Sequence, residues 1–438
     1  MIKKTATAAL ILVAFGLGAC DLLDVQNPNS LQESQLNDPT ASQAMANGLK
    51  ASITRALSFQ FAAYGMATDE LTWIGSRDAW QELDFGNIGN QLNEFSDQAF
   101  PYMAEAEWHA REYIGRLEGF KNEGTLPSDQ ILAEAYLWAA ITYTSLADQY
   151  DNYAKSDKLE PGEPLTESGM KALYGTALDW VTSAQELDAG LQTRLKAMEA
   201  RIRVSRSLWE KVHPTNDVQT GDAALVQNAE AANAAQQALS LMQTDARFEL
   251  PNPTSSTFEN YLAQQVNGRQ EMRPGDTYVS AKATDNTVDE VTFQDVVDEV
   301  VHPFTRQVIR SRYSNQGNNF APITYVSARE MHLIVAEHEL ASGNPAGFDE
   351  AINSLRALDD ELSSYDGPST EGVSRIDLLE NSRQANLYLQ GRRLKDLYRF
   401  DEQVETWLSD SDVVQEPGTF FPITATEVRA NPNLEFND

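Results

Sequence analysis

The stretch Ser128 to Asp151, SDQILAEAYLWAAITYTSLADQYD, constrains the fold more than any other part of the chain. Leu132, Ala135, Tyr136, Ala139, Ala140, Tyr143 and Leu146 recur at three- and four-residue steps, so they share one helix face. Ser128 is an N-cap, its side-chain oxygen available to an orphan amide of the first turn. Ala133, Ala135, Ala139 and Ala140 leave room for a second helix to approach closely. Three more helical patterns follow: Glu167 to Leu187, Leu195 to Val212 and the alanine-rich Asp222 to Met242. Helices of this length joined by short polar loops predict stacked antiparallel pairs.

The pattern stops near Arg247. From Phe248 to Phe320 the chain is rich in Pro, Gly, Asn, Asp and Thr, and NPTSSTFENY, RPGDTY and YSNQGNNF read as loops and short strands. A loop region this long inside a compact protein is often functional. Helices return at Ser327-Ala328-Arg329-Glu330, which fits a capping box, and the first of them stops at Ser342-Gly343. Its partner carries the stripe Phe348, Ala351, Ile352, Leu355 and Leu358; two more helices span about Ser374 to Gln390 and Arg392 to Phe400. Nearer the start, Asp38-Pro39-Thr40 opens a helix through Ile53 and Ala56. Pairs recurring at roughly 35 to 45 residues resemble tetratricopeptide-type repeats. The expected fold class is therefore mainly α: helix pairs forming an α superhelical scaffold, with an irregular, loop-rich, ligand-facing segment.

The opening MIKKTATAALILVAFGLGAC has a charged start, a short apolar run and small residues before Cys20, the layout of a secretory signal over residues 1–19. Leu17-Gly18-Ala19-Cys20 also resembles the bacterial lipobox, which implies cleavage before Cys20 and lipid on its sulfur. Cys20 is the sole cysteine, so no internal disulfide is available and burial alone must stabilise the fold. Residues 20–37 read as a polar tether and 38–438 as a single domain, with helix-pair blocks at about 128–242 and 327–400 around the loop-rich segment at about 248–320. Without Lys3 and Lys4, 31 basic residues face 65 acidic ones, a formal charge of −34. Such a surface repels phosphate backbones, so no nucleic-acid partner is expected.

Three stretches carry a family resemblance. Ala133-Glu134-Ala135 through Leu146-Ala147-Asp148-Gln149-Tyr150 is the first. The second is Tyr325 through Glu337 (YVSAREMHLIVAE) with Ala351-Ile352-Asn353-Ser354-Leu355-Arg356. The third is Gly391-Arg392-Arg393-Leu394-Lys395-Asp396-Leu397-Tyr398-Arg399 with Phe421-Pro422-Ile423, Glu427 and Asn431-Pro432-Asn433-Leu434. Together they resemble the SusD/RagB-like outer-membrane lipoproteins of Bacteroidetes. The pattern departs at Asn381 to Leu387 and at Gln390, where acidic residues are common in the family. The resemblance implies a SusD-like fold, lipid anchoring in the outer membrane and a lid-like role over a SusC-like TonB-dependent β-barrel transporter. It further implies capture of an oligosaccharide or other nutrient, with no chemistry and no cofactor.

Candidate residues follow. Arg392, Arg393, Asp396 and Arg399 lie close together on a short helix and can reach Glu330 and Glu337. They read as a surface ion-pair staple between helices, with ligand contact as the alternative. A sugar site needs exposed aromatic faces beside amide and carboxylate acceptors. Tyr64, Trp73, Arg77, Asp78 and Trp80 offer these in a Gly-containing, loop-like context, and Tyr278, Arg312, Tyr313 and Asn315 form a second set. The same aromatics also fit a core under a loop, and the asparagines fit ordinary turns. Trp108, Trp138 and Trp180 belong to helix packing. His332 and His338 are six apart and share no metal-binding face; no metal is expected, although the acidic loop Asp285 to Asp298 leaves calcium open. Three functions remain: a nutrient-binding lipoprotein, a lipid-anchored glycoside hydrolase with two carboxylates, and a helical-repeat scaffold for proteins.

Overall fold

The computed structural model describes residues 35–157, 160–252, 254, 258–315 and 317–437. The signal segment, Cys20 and the tether up to residue 34 lie outside the described residues. The first half holds α1 (Ser42–Met66), strand β1 (Leu71–Trp73), α2 (Asp78–Asp84), α3 (Glu94–Asn122), α4 (Asp129–Gln149), α5 (Glu167–Leu187), α6 (Gln192–Val212) and α7 (Ala229–Leu241). Strands β2 (Arg247–Leu250), β3 (Met272–Pro274), β4 (Val279–Ala281) and β5 (Val288–Val291) then precede α8 (Pro303–Arg312) and β6 (Ile323–Ser327). The second block is α9 (Ala328–Ala341), α10 (Pro345–Arg356), α11 (Arg375–Asn386) and α12 (Arg393–Arg399).

Helix ends follow their caps. Ser128 Oγ accepts the Gln130 amide at 3.2 Å, and Thr166 Oγ1 accepts the Gly169 amide at 3.3 Å. Ser327 Oγ likewise accepts the Glu330 amide at 3.2 Å. The reciprocal half of the expected capping box is absent, because the Glu330 side chain turns to Arg392 and Arg201 instead.

The pairs form one row. α1 packs on α3 and α4, α4 on α5, α5 on α6, and α6 on α7. α7 then meets α9, and α9 packs on α10, so the two blocks are continuous in space although the irregular segment separates them in sequence. α4 is packed on both sides within this row. Its five alanines are buried, and so are the polar Thr142, Thr144 and Gln149. Trp138 is buried in the same helix, and Trp180 packs edge-on against Tyr143 with ring centroids 4.6 Å apart.

The irregular segment is more ordered than its composition implies. It contains α8, a short helix at Tyr261–Ala263 continued by a π turn over Gln264–Arg269, and strands that pair antiparallel with one another (β4 with β5) or with strands outside the segment (β3 with β1, β2 with β6). The C-terminal tail folds back on the first helices. The Phe421 amide donates to the Gln149 carbonyl at 3.1 Å, Gln91 to the Ile423 carbonyl at 2.8 Å, and the Thr426 amide to Asp97 at 2.7 Å. Among the described residues, no helix is long and apolar enough to cross a membrane.

Candidate functional site

α1 is amphipathic in an unusual way. Met45, Leu49, Ile53 and Leu57 are buried, whereas Asn47, Lys50, Ala51, Arg55 and Phe59 form a stripe along the other side. Opposite that stripe lie Pro251, Asn252, Phe258, Glu259, Tyr261, Gln264 and Phe320 of the irregular segment. Between them run two adjoining cavities of about 330 and 470 Å³ that share Arg55, Phe258 and Glu259. Together they make an open groove.

Aromatic rings build its wall. Phe59 stacks on Tyr261 with centroids 3.9 Å apart and an interplanar angle of 13°. Phe59 also meets Tyr102 of α3 at 4.5 Å. The Arg55 guanidinium carbon lies 3.9 Å from the Tyr102 ring centre and 4.4 Å from that of Phe258. Phe258 is 53% exposed, an apolar face of the kind that sugar C–H groups cover. Tyr261 donates its hydroxyl to Gln98 at 2.9 Å, and burial pushes its pKa up to about 12, so it stays a neutral donor at physiological pH. Gln264 and the Glu259 carboxylate, which accepts from Asn319 at 3.2 Å, supply acceptors.

Most of the residues expected to bind ligand sit elsewhere. Trp80 belongs to α2 rather than a loop and is fully buried, stacked on Phe95 at 3.7 Å. Its ring is 6.4 Å from Tyr261, one layer beneath the groove. Trp73 is half-buried in β1. Arg77 pairs with Glu94, and Asp78 is exposed in the first turn of α2. Tyr64 and Tyr278 are fully buried, Tyr278 stacked on Phe293 at 5.1 Å, so neither offers a face to a ligand. Arg312 is held by Glu249 at 2.5 Å, and Tyr313 is buried beside a small cavity of about 20 Å³, room for one water. Asn315 is buried in a left-handed turn with φ 61°, accepting the Val288 amide and donating to the Val266 carbonyl. These are packing and turn residues. Phe258, Tyr261 and Phe320 lie within the segments read as loops. Their signal was an aromatic in each polar run, and Phe59 with Arg55 one helical turn earlier on α1 completes the set.

The expected ion-pair staple exists, but it is interior rather than at the surface. All seven residues of α12 are buried. Asp396 accepts from Arg383 at 3.0 Å and Arg399 at 2.9 Å; Arg399 also pairs with Glu337, and Arg392 holds Glu330 at 3.0 Å. Arg393 departs from the expected set and clamps Asp69 at 2.8 Å and Glu402 at 2.7 Å. The chain of charges extends through Arg201 to Asp148, which also takes Lys395 at 2.6 Å and the Tyr174 hydroxyl at 2.8 Å. Burial opposes the charge on Asp396, yet Arg383 and Arg399 outweigh it and hold the carboxyl below its usual range. Glu330 leans the other way: burial lifts it to about 7 against Arg201 and Arg383. Deeper still, Glu70 accepts the Leu389 amide at 2.5 Å, and burial raises it to about 8.

Three carboxylates of the acidic loop left open for calcium have partners of their own. Asp295 and Asp298 hold Arg356 at 2.7 and 2.5 Å, and Asp285 caps Thr287.

No family model matches the chain, and no curated protein matches it in sequence. Solved structures do match its shape. A SusD superfamily protein from Bacteroides fragilis is similar with a TM-score of 0.63 over 91% of this chain and 99% of its own, at 14% identity. A SusD homolog from Bacteroides thetaiotaomicron gives 0.63 over 92% and 98%, at 12% identity. A SusD-like carbohydrate binding protein from Bacteroides vulgatus gives 0.52 over 82% and 83%, at 12% identity. The chain therefore has the mainly helical, SusD-like fold.

Proposed function

We propose that this protein is a nutrient-binding lipoprotein of the SusD type that acts by binding and carries out no chemistry. In this reading residues 1–19 are a signal, Cys20 bears lipid, residues 20–37 are a tether and residues 38–438 form one binding domain on the outer face of the outer membrane. The groove along α1 takes an oligosaccharide, and the protein caps a SusC-like TonB-dependent β-barrel that imports it. The observation that carries the reading is the groove itself: an exposed Phe258 beside Tyr261, Phe59, Gln264 and Glu259, on a SusD-like fold. Apolar faces flanked by amide and carboxylate acceptors match the two faces of a sugar ring.

Titration calorimetry of the full lipidated chain in detergent against oligosaccharides tests the first half. Saturable binding that leaves the glycan intact supports it; product release would establish a hydrolase instead, and no ligand at all would favour a protein scaffold. A mild-detergent pulldown from the native membrane tests the second half. Recovery with a stoichiometric β-barrel supports the lid role, and recovery alone overturns it.

A further inference from the structure

The groove brings two unpaired cations together beside exposed and half-buried rings. Acidic residues outnumber basic ones 65 to 33, and most cations among the described residues sit beside a carboxylate. Arg201, Arg312, Arg329, Arg356, Arg383 and Arg399 all hold carboxylates. Lys50 and Arg55 do not: among the described residues neither has a carboxylate within ion-pair distance. Both line the same cavity, together with Asn47, Thr54 and Asn252.

Arg55 is fixed rather than loose. Its Nη2 donates to the Tyr102 hydroxyl at 2.7 Å, and the rings of Tyr102 and Phe258 hold the guanidinium. Its Nε is buried with no hydrogen-bond partner, and Nη1 makes no hydrogen bond among the described residues. A clamped guanidinium with unused donors is prepared for an oxyanion, which it meets with charge-assisted hydrogen bonds. Lys50, whose ammonium lies 5.0 Å from the Trp138 ring, adds a second charge on the same helix stripe. Glu259, the carboxylate of the groove, lines both cavities and is an acceptor for sugar hydroxyls.

We infer that the groove selects an acidic oligosaccharide, one that sets a uronate-type carboxylate on Arg55 and Lys50 and a ring face on Phe258. The inference rests on the sugar-binding reading above and adds the class of sugar. The negative charge of the whole chain opposes an anion at long range, but salt screens that field within about 8 Å at physiological ionic strength. Contact pairing in a half-enclosed groove is screened much less.

Calorimetry of the full lipidated chain against oligogalacturonate, alginate oligomers, a sulfated galactan oligomer, methyl-esterified oligogalacturonate and neutral cello- and maltooligosaccharides decides the matter. At least one uronate oligomer is expected to bind ten or more times tighter than its neutral counterparts. Arg55→Gln and Lys50→Gln should each erase most of that preference, weakening uronate binding several times more than neutral binding, and Arg55→Lys should restore part of it. Phe258→Ala should weaken both kinds of sugar. Neutral sugars binding as tightly as uronates would overturn the inference while leaving sugar binding intact. So would an equal loss for acidic and neutral sugars in Arg55→Gln, since Arg55 would then only shape the wall. A preference for the sulfated oligomer alone would also overturn the carboxylate assignment. Failure of every sugar would remove the underlying reading and this inference with it. Thermal unfolding of each variant confirms that it is folded.

Discussion

Arg399 and Arg55 stand in opposite surroundings. Arg399 is fully buried on α12, bonded to Asp396 and Glu337 and to the Ala224 carbonyl. Arg55 is half-buried on α1, lies between two rings and keeps donors without partners. In the interior each cation is matched, because an unmatched charge there is strongly destabilising. At the groove a mismatch is tolerated, because Arg55 is only half-buried and lines an open cavity that water or a ligand can fill. Charge matched on all sides holds helices together; charge left unmatched beside an exposed ring is available to something else.

The contrast can be broken from the buried side first. Asp396→Ala leaves Arg383 and Arg399 facing each other without their shared carboxylate, and is expected to cost about 5 kcal/mol in chemical denaturation. Trp80→Ala, removing a ring packed on Phe95, should cost about 4 kcal/mol and act on stability rather than on ligand contact. A smaller loss for either would mean that its site is wetter than its burial implies.

Glu70 sharpens the comparison through pH. Its folded pKa is about 8 against an ordinary 4.5, so the folded chain keeps a proton that the unfolded chain releases. Stability contributed by this group is full below the ordinary value and falls as pH rises toward 8, by up to about 1.4 kcal/mol per pH unit. Glu70→Gln should remove that slope, seen as a melting temperature that holds up better than wild type at pH 8.5 than at pH 5.5. The smallest effect belongs to the groove: Phe258→Ala should change stability by less than about 0.5 kcal/mol. It should still weaken sugar binding by about 1 kcal/mol, roughly fivefold in Kd.

The helices of the row were legible where periodicity and caps agree. α5 spans Glu167–Leu187 as its pattern predicts, and α9 starts just after its cap, Ser327. α3 was hidden, because Pro101 lies inside it and a buried Glu107 interrupts its apolar face. α1 runs to Met66, ten residues beyond Ala56, since its last turns are apolar on every side and lose the amphipathic signal. That extension carries Phe59, so losing it loses the groove. α8 and the π turn fall in a stretch whose loop-forming residues mask them. The charge network was legible as pairs but not as interior, since spacing along one helix says nothing of what covers it. Arg383, Arg201 and Asp148 join it only through tertiary packing. The site residues proved hardest, because exposure of an aromatic is a property of the fold and not of its neighbours in sequence.

The tail's return to α3 and α4 has a kinetic consequence. Gln91 meets Ile423, Asp97 meets Thr426, and Gln149 meets Phe421, so early and late parts of the chain complete one another. Contacts this distant along the chain close slowly, because long loops must be ordered before they are rewarded. Until synthesis passes residue 421, the carbonyl of Gln149 at the end of α4 lacks the Phe421 amide that it accepts in the folded chain. The C-terminal tail thus closes contacts that the first helices cannot make for themselves, and it is the last part of the chain to be synthesised.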